Sequence, residues 1–142
     1  MKAKKKIIIV SNTAWSLVNF RAGLILALVD VGYEVVAIAP SDEYVPLLNN
    51  LGCRYHPLAM DNQGTKVGKD LLLLYRFFRI LRHEQPVVFL GYTVKPNVYG
   101  SLAAHLLDIP VVNNISGLGS VFISNREFHS LSVRFEYSHI KV

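Results

Sequence analysis

The sequence predicts a single α/β domain: a doubly wound, Rossmann-like parallel sheet with strand order 3-2-1-4-5. Three observations predict it. Strand signals alternate with helix signals along the chain, which implies right-handed crossovers and parallel pairing. The run Ile7-Ile8-Ile9-Val10 is β-branched and apolar without polar alternation, as in a strand buried on both faces. With 142 residues, 51% of them hydrophobic and Gly and Pro spread as punctuation, the chain can bury one core and has the composition of neither a disordered nor a fibrous protein.

Residues 6–10 form the first strand. After the polar Ser11-Asn12-Thr13, residues 17–31 are rich in Leu and Ala and close on Gly32, a helix ending in its stop residue. Residues 34–39 give the second strand, a short helix containing Pro46 leads to Gly52, and the third strand lies around residues 53–58. Residues 69–83 are the clearest helix. At roughly 100° per residue, Leu71, Leu73, Leu74, Phe77, Phe78, Ile80 and Leu81 share one half of the wheel; Lys69, Arg76, Arg79, Arg82 and His83 share the other. Residues 87–90 are the fourth strand, 96–107 a helix with Pro96 in its first turn, and 110–115 the fifth strand. Within that last helix, His105 reads as a packing residue. The pattern changes beyond Gly119. Leu131, Val133, Phe135 and Tyr137 alternate with Ser132, Arg134 and Glu136, which predicts an extra edge strand. The domain therefore spans residues 1–142 with an atypical tail from about residue 120. No linker, internal repeat or low-complexity segment divides it.

Cys53 is the single cysteine, so no internal disulfide forms, and no Cys/His cluster has metal-ligand spacing. The apolar run after the amino-terminal lysines is too short for a signal peptide. No uninterrupted apolar stretch approaches the roughly 18 residues that span a bilayer. A cytoplasmic protein that is not integral to a membrane is expected. The formal charge of +5 favours partners that carry phosphate. Nucleic acid is disfavoured, because the basic residues are not interleaved with aromatics in a known binding pattern.

In an open parallel sheet, ligands bind beyond the carboxyl ends of the strands where strand order reverses. Here those are the loops after the first and fourth strands. Asn12 and Thr13 offer polar groups ahead of a helix amino terminus, whose N–H groups suit an anion; Thr13 or Ser16 serving as a plain cap explains the same residues. That loop has no glycine, which argues against a dinucleotide fingerprint, and the chain has no Gly-Lys-Ser/Thr for a P-loop. Arg21, beside Phe20, can grip a phosphate or carboxylate, although a plain surface arginine is the commoner case. In the second loop, Tyr92, Thr93, Lys95 and Asn97 crowd around the start of a Pro-initiated helix, with Lys95 placed for an anionic ligand; a solvated lysine at a helix start explains it equally well. A third loop, with Ser116, Gly117 and Gly119, allows close backbone approach, and a turn that needs positive φ explains the same glycines. No triad spacing and no paired carboxylates are visible, so no catalytic residue is assigned, and neither a metal nor a cofactor is expected. The arginines of the 69–83 helix suit anionic lipid head groups, although a solvated outer face explains them too.

Strand-ending Ser11-Asn12, the pair Phe20-Arg21, the stretch Thr93-Val94-Lys95-Pro96-Asn97-Val98-Tyr99-Gly100 and Ile115-Ser116-Gly117-Leu118-Gly119 together resemble the amino-terminal domain of bacterial family 4 GT-B glycosyltransferases, from about residue 5 to residue 122. The resemblance implies the acceptor-side half of a retaining hexosyl- or N-acetylhexosaminyltransferase in polysaccharide biosynthesis. Such an enzyme moves a sugar from a nucleotide donor, UDP-linked, to a lipid-linked acceptor. It also implies that the donor is held by a second domain outside this chain, so this chain alone is expected to be inactive and to work with a donor-domain partner chain. A truncated gene product, an excised domain and a split-enzyme subunit all fit. On that basis Asn12, Thr13, Phe20, Arg21, Tyr92, Thr93, Lys95, Asn97, Ser116, Gly117 and Gly119 are the expected substrate-binding residues. Arg76, Arg79 and Arg82 are the expected peripheral contacts with the inner face of the membrane. The competing expectation is a stand-alone, non-enzymatic binding module or a membrane-surface partner subunit.

Overall fold

A computed structural model describes residues 3–60 and 66–115. Five parallel strands, β1 (Lys6–Val10), β2 (Glu34–Ala39), β3 (Arg54–Pro57), β4 (Val88–Tyr92) and β5 (Val111–Asn114), lie in the order β3-β2-β1-β4-β5. This is the order the alternation of elements predicts. Central β1 is paired on both sides, Ile8 standing opposite Val36 and Phe89.

The pleat of this central sheet divides the core in two. Ile8, Val10, Val36, Ile38 and Phe89 face one layer, built from α3 (Val67–Glu84) and α4 (Ser101–Leu106). Ile9, Val35, Ala37 and Ala39 face the other, built from α1 (Ala14–Val31) and α2 (Val45–Asn50). Period-two alternation thus works on both faces, and both faces are apolar. In the first layer Phe77 meets Phe89 edge to face, centroids 6.1 Å apart, and Gly100 lies against the same ring. A Cβ on Gly100 would come within 2.2 Å of Phe89 Cζ, so a side chain is excluded there.

Several boundaries differ from those read in the sequence. Helix α1 starts at Ala14, because the Thr13 hydroxyl accepts a hydrogen bond from Ser16 N at 3.1 Å and caps it there; it ends on left-handed Gly32, φ 108°, as expected. Strand β4 runs on to Tyr92, which puts Gly91 and Tyr92 in the sheet rather than in the loop. The expected helix over residues 96–107 opens as a single π turn, Pro96–Gly100, before α4. Along α3, Leu71 is 60% exposed whereas Asp70 and Glu84 are buried; the apolar half of the wheel is wider than the stripe the sheet covers. His105 is exposed on α4 rather than packed. The edge strand expected in the tail falls outside the described residues.

Helix α1 is apolar on nearly every side. By length and composition its 18 residues are long and apolar enough to cross a bilayer, although Asn19, Arg21 and Asp30 interrupt the apolar run. In the fold it lies on the sheet through Ala14, Leu17 and Ile25, with Trp15, Phe20, Leu24, Leu26 and Val31 on its outer side.

At the amino-terminal end of the sheet a charge cluster ties four elements together. Buried Glu84, from the end of α3, takes Lys6 of β1 at 2.9 Å and Arg54 of β3 at 2.6 Å. Arg54 also reaches Glu34 of β2 at 3.1 Å. The Arg54 hydrogen bond, opposed by desolvation and helped by Lys6, lowers the Glu84 carboxyl to about 2.

Candidate functional site

The order reverses between β1 and β4, and the loops at their carboxyl ends meet there. Ser11, just past β1, is buried; its hydroxyl hydrogen-bonds the Ser16 hydroxyl and its N–H donates to the Ile38 carbonyl at 3.2 Å. Asn12 is half-buried next to it. Of the N–H groups opening α1, that of Ser16 goes to Thr13. That of Trp15 donates to Asp42 Oδ2 at 3.1 Å, while Asp42 Oδ1 accepts from Tyr44 N at 2.8 Å. The anion seat that the sequence suggests at this helix end is thus occupied by the chain's own carboxylate, and Thr13 acts as a cap.

Arg21, one and a half turns further along α1, reaches β4. Its guanidinium carbon lies 4.2 Å over the ring of Tyr92, so two residues expected at the site, one from the first helix and one from the end of the fourth strand, are brought together. Burial raises the Tyr92 phenol and the Arg21 charge partly offsets this. Phe20 is exposed and packs edge to face on Trp15, centroids 5.3 Å apart.

The β4–α4 corner is the most constrained part of the site. Thr93 takes a left-handed backbone, φ 80°, which is unfavourable for a β-branched residue. Its hydroxyl and Asn97 Oδ1 are buried without a hydrogen-bond partner among the described residues. Asn97 braces the corner instead of opening into it: its N–H donates to the Thr93 carbonyl at 3.1 Å and its Nδ2 to the Asn114 carbonyl at 3.1 Å. Asn113 is held on Ser101, Nδ2 donating to the Ser101 hydroxyl at 2.7 Å. Both amide oxygens crowd Gly91, where a Cβ would lie 2.5 Å from Asn97 Oδ1 and 2.7 Å from Asn113 Oδ1.

Lys95 turns toward α3 and pairs with Asp70, Nζ to Oδ1 3.0 Å, both side chains largely buried. The Tyr99 hydroxyl donates to Asp70 Oδ2 at 3.0 Å, and that bond to a carboxylate raises the Tyr99 phenol. The pair borders a cavity of about 380 Å³ whose wall includes Met60, Lys69, Leu72 and Arg76. A larger groove of about 580 Å³ follows the outer side of α3 past Tyr75, Arg76, Arg79 and His83 to His56 on the edge strand. Asp42 and Asp70 are the site residues that sequence reasoning passed over; the one visible signal was an acidic residue in the first turn of α3. Ser116, Gly117 and Gly119 lie outside the described residues. Among the described residues no group of three His, Cys, Asp or Glu could hold a metal.

The model of the family described as glycosyl transferase 4-like matches residues 6–141. The chain is 29% identical over 126 residues to the N,N'-diacetylbacillosaminyl-diphospho-undecaprenol alpha-1,3-N-acetylgalactosaminyltransferase of Campylobacter jejuni, covering 88% of this chain and 33% of that protein. Among solved structures it is similar to a glycosyltransferase from Rickettsia africae, TM-score 0.66 at 13% identity over 80% of this chain and 30% of the other. Acinetobacter baumannii MurG matches with TM-score 0.58 at 21% identity, over 77% and 34% of the two chains. A putative UDP-N-acetylglucosamine 2-epimerase from Listeria monocytogenes matches with TM-score 0.63 at 18% identity, over 82% and 32%. At these identities the solved structures carry the fold alone. The chain spans about a third of the length of each of these proteins. With the family model covering nearly all of it, the chain belongs to the glycosyl transferase 4-like family.

Proposed function

We propose that the chain forms the acceptor side of a retaining glycosyltransferase that moves a sugar from a nucleotide donor, UDP-linked, to a lipid-linked saccharide. The observation that carries it is the stacking of Arg21 on Tyr92 at the carboxyl end of β4. It supplies a cation and an aromatic face for a phosphate-bearing saccharide at the switch point of the sheet. The similarity to a transferase whose name specifies a diphospho-undecaprenol-linked acceptor supports the same class of acceptor.

In this proposal the donor nucleotide is held by a second domain outside residues 1–142, on the same chain or a partner chain, and the present residues work by positioning and electrostatics. Asn12, Thr13, Phe20, Thr93, Asn97, Ser116, Gly117 and Gly119 remain the proposed shell of the acceptor site, Thr13 and Asn97 contributing as cap and brace. Arg76, Arg79 and Arg82, exposed on α3 beside Leu72 and Tyr75, which are 46% and 56% exposed, are the proposed contact with anionic head groups at the inner face of the membrane.

Titration of the chain with UDP, UDP-N-acetylhexosamines and a short-chain polyprenyl-diphosphate sugar, followed by amide NMR, tests the proposal. Shifts at Asn12, Arg21, Tyr92 and Lys95 with the lipid-linked sugar, and a weak response to UDP, support it. Tight UDP binding, or silence at these residues with every ligand, rejects it in favour of a stand-alone binding module.

A further inference from the structure

The Lys95–Asp70 pair answers the Lys95 charge, which taken alone would end the use of Lys95 to a ligand. The surroundings of Asp70 point the other way. Its Oδ2 keeps the Tyr99 hydroxyl at 3.0 Å, and it sits in the first turn of α3, where the helix dipole favours a negative charge. Asp70 can therefore lose Lys95 without becoming a bare buried carboxylate. Lys95, in turn, is a point charge on a flexible stem, and it borders the cavity of about 380 Å³ that also takes Lys69 and Arg76. Among the described residues its lining sets Lys69, Arg76 and Lys95 beside Asp70, side chains of the kind that meet a phosphate. The loop that carries Lys95 begins at Thr93, whose left-handed φ of 80° and buried hydroxyl, without a partner among the described residues, are both unfavourable, and both are relieved when that loop rearranges.

We propose that Asp70 is a positioning residue that latches Lys95 in the empty protein, and that a diphosphate entering the Lys69–Arg76–Lys95 cavity draws the ammonium off Asp70 Oδ1 onto itself. This rests on the proposed function in one respect, that the site receives a phosphate-bearing ligand. It adds the identity of the residue that competes with that ligand. The exchange is of ion pairs only: Nζ leaves one oxyanion for another, Tyr99 stays on Asp70, and no proton is transferred.

Calorimetry with inorganic pyrophosphate on the full chain tests it, with the unmodified protein, Asp70→Asn, Lys95→Met and the double variant. The latch predicts that Asp70→Asn binds pyrophosphate several-fold tighter and that Lys95→Met binds more weakly. It also predicts that Asp70→Asn gives no gain when Lys95→Met is already present. Equal or weaker binding by folded Asp70→Asn overturns the latch. So does a full gain in the double variant, which would be the general effect of removing one negative charge. Should Asp70→Asn not fold, the side-chain NMR signal of Lys95 in the unmodified chain decides: it moves on adding pyrophosphate if the latch opens and stays still if it does not. Silence of the unmodified chain and every variant toward pyrophosphate sinks the phosphate-binding proposal itself and the latch with it, whereas equal binding by the unmodified chain and Asp70→Asn removes only the latch. Repeating the titration with farnesyl diphosphate and with UDP separates the two sources of a diphosphate: a gain for the first assigns the cavity to the acceptor, and a gain for the second to the donor.

Discussion

The Arg21 guanidinium carbon stands 4.2 Å over the ring of Tyr92, so a helix residue and a strand residue 71 positions apart share one wall of the crevice. Stacking fixes the plane of the guanidinium and leaves its edge N–H groups to an anion. Arg21→Lys keeps the charge and loses the planar fork. Binding of a polyprenyl-diphosphate sugar should fall about tenfold, while the melting temperature changes little, because lysine keeps a cation at this half-buried ring and the whole cation–π pair is worth only about 1 kcal/mol. Tyr92→Phe should keep both. Calorimetry beside thermal unfolding reads the two effects separately.

Most of the architecture was legible because it follows from local periodicity. Ile7 to Val10 had to be buried on both faces, and Gly32 had to end α1. What periodicity does not carry is the pairing of polar groups across the fold. Trp15 meets Asp42 across 27 positions and Lys95 meets Asp70 across 25; nothing in either local pattern marks the partner. The local pattern accordingly offers Lys95 as a ligand contact or a solvated lysine and Thr13 as a ligand residue or a cap, and in neither case the partner that the fold supplies. The wheel of α3 shows the same limit on the apolar side. Leu71 and Leu73 share a half-wheel, yet only Leu73 is covered by the sheet, because the neighbouring layer decides how wide a stripe is buried.

The Glu84 cluster predicts an acid-labile fold. With its carboxyl lowered from 4.5 to about 2, Glu84 contributes stability that is present above its unfolded value and lost as pH falls through the window from 4.5 to 2. Since Lys6 and Arg54 are partly exposed, about 2 kcal/mol is expected after screening. Glu84→Gln should lower stability by about that amount at neutral pH and flatten the acid limb. Urea unfolding at a series of pH values checks both; an unchanged acid limb would rule the cluster out as its cause.

Gly100 predicts a packing effect of a different kind. Gly100→Ala places a methyl group within 2.2 Å of the Phe89 ring tip, and that ring is already fixed against Phe77. Overpacking of a filled core costs about 1–3 kcal/mol. Gly100→Ala should lose that much, and pairing it with Phe89→Leu should recover part of it, since the shorter side chain withdraws from the methyl. Chemical denaturation of the two variants and the double variant measures the recovery.

Thr93 predicts stabilisation, which is unusual for a change at a proposed ligand site. Its φ of 80° is unfavourable for a β-branched residue by about 1–3 kcal/mol, and its buried hydroxyl has no partner among the described residues. Glycine accepts that φ without a Cβ clash and removes the hydroxyl. Its greater freedom in the unfolded chain takes back about 0.5–1 kcal/mol. Thr93→Gly is therefore expected to be more stable by about 1 kcal/mol net, whereas Thr93→Val, which keeps the branched Cβ and removes only the hydroxyl, should gain less. If the strained loop serves ligand capture, the gain in stability of Thr93→Gly should come with weaker binding of the polyprenyl-diphosphate sugar, because the empty conformation no longer stores anything for the ligand to release. Unfolding free energy and binding affinity measured on the same two variants test this together. A stabilised Thr93→Gly that binds as tightly as the unmodified chain would leave the strain a feature of the β4–α4 corner alone.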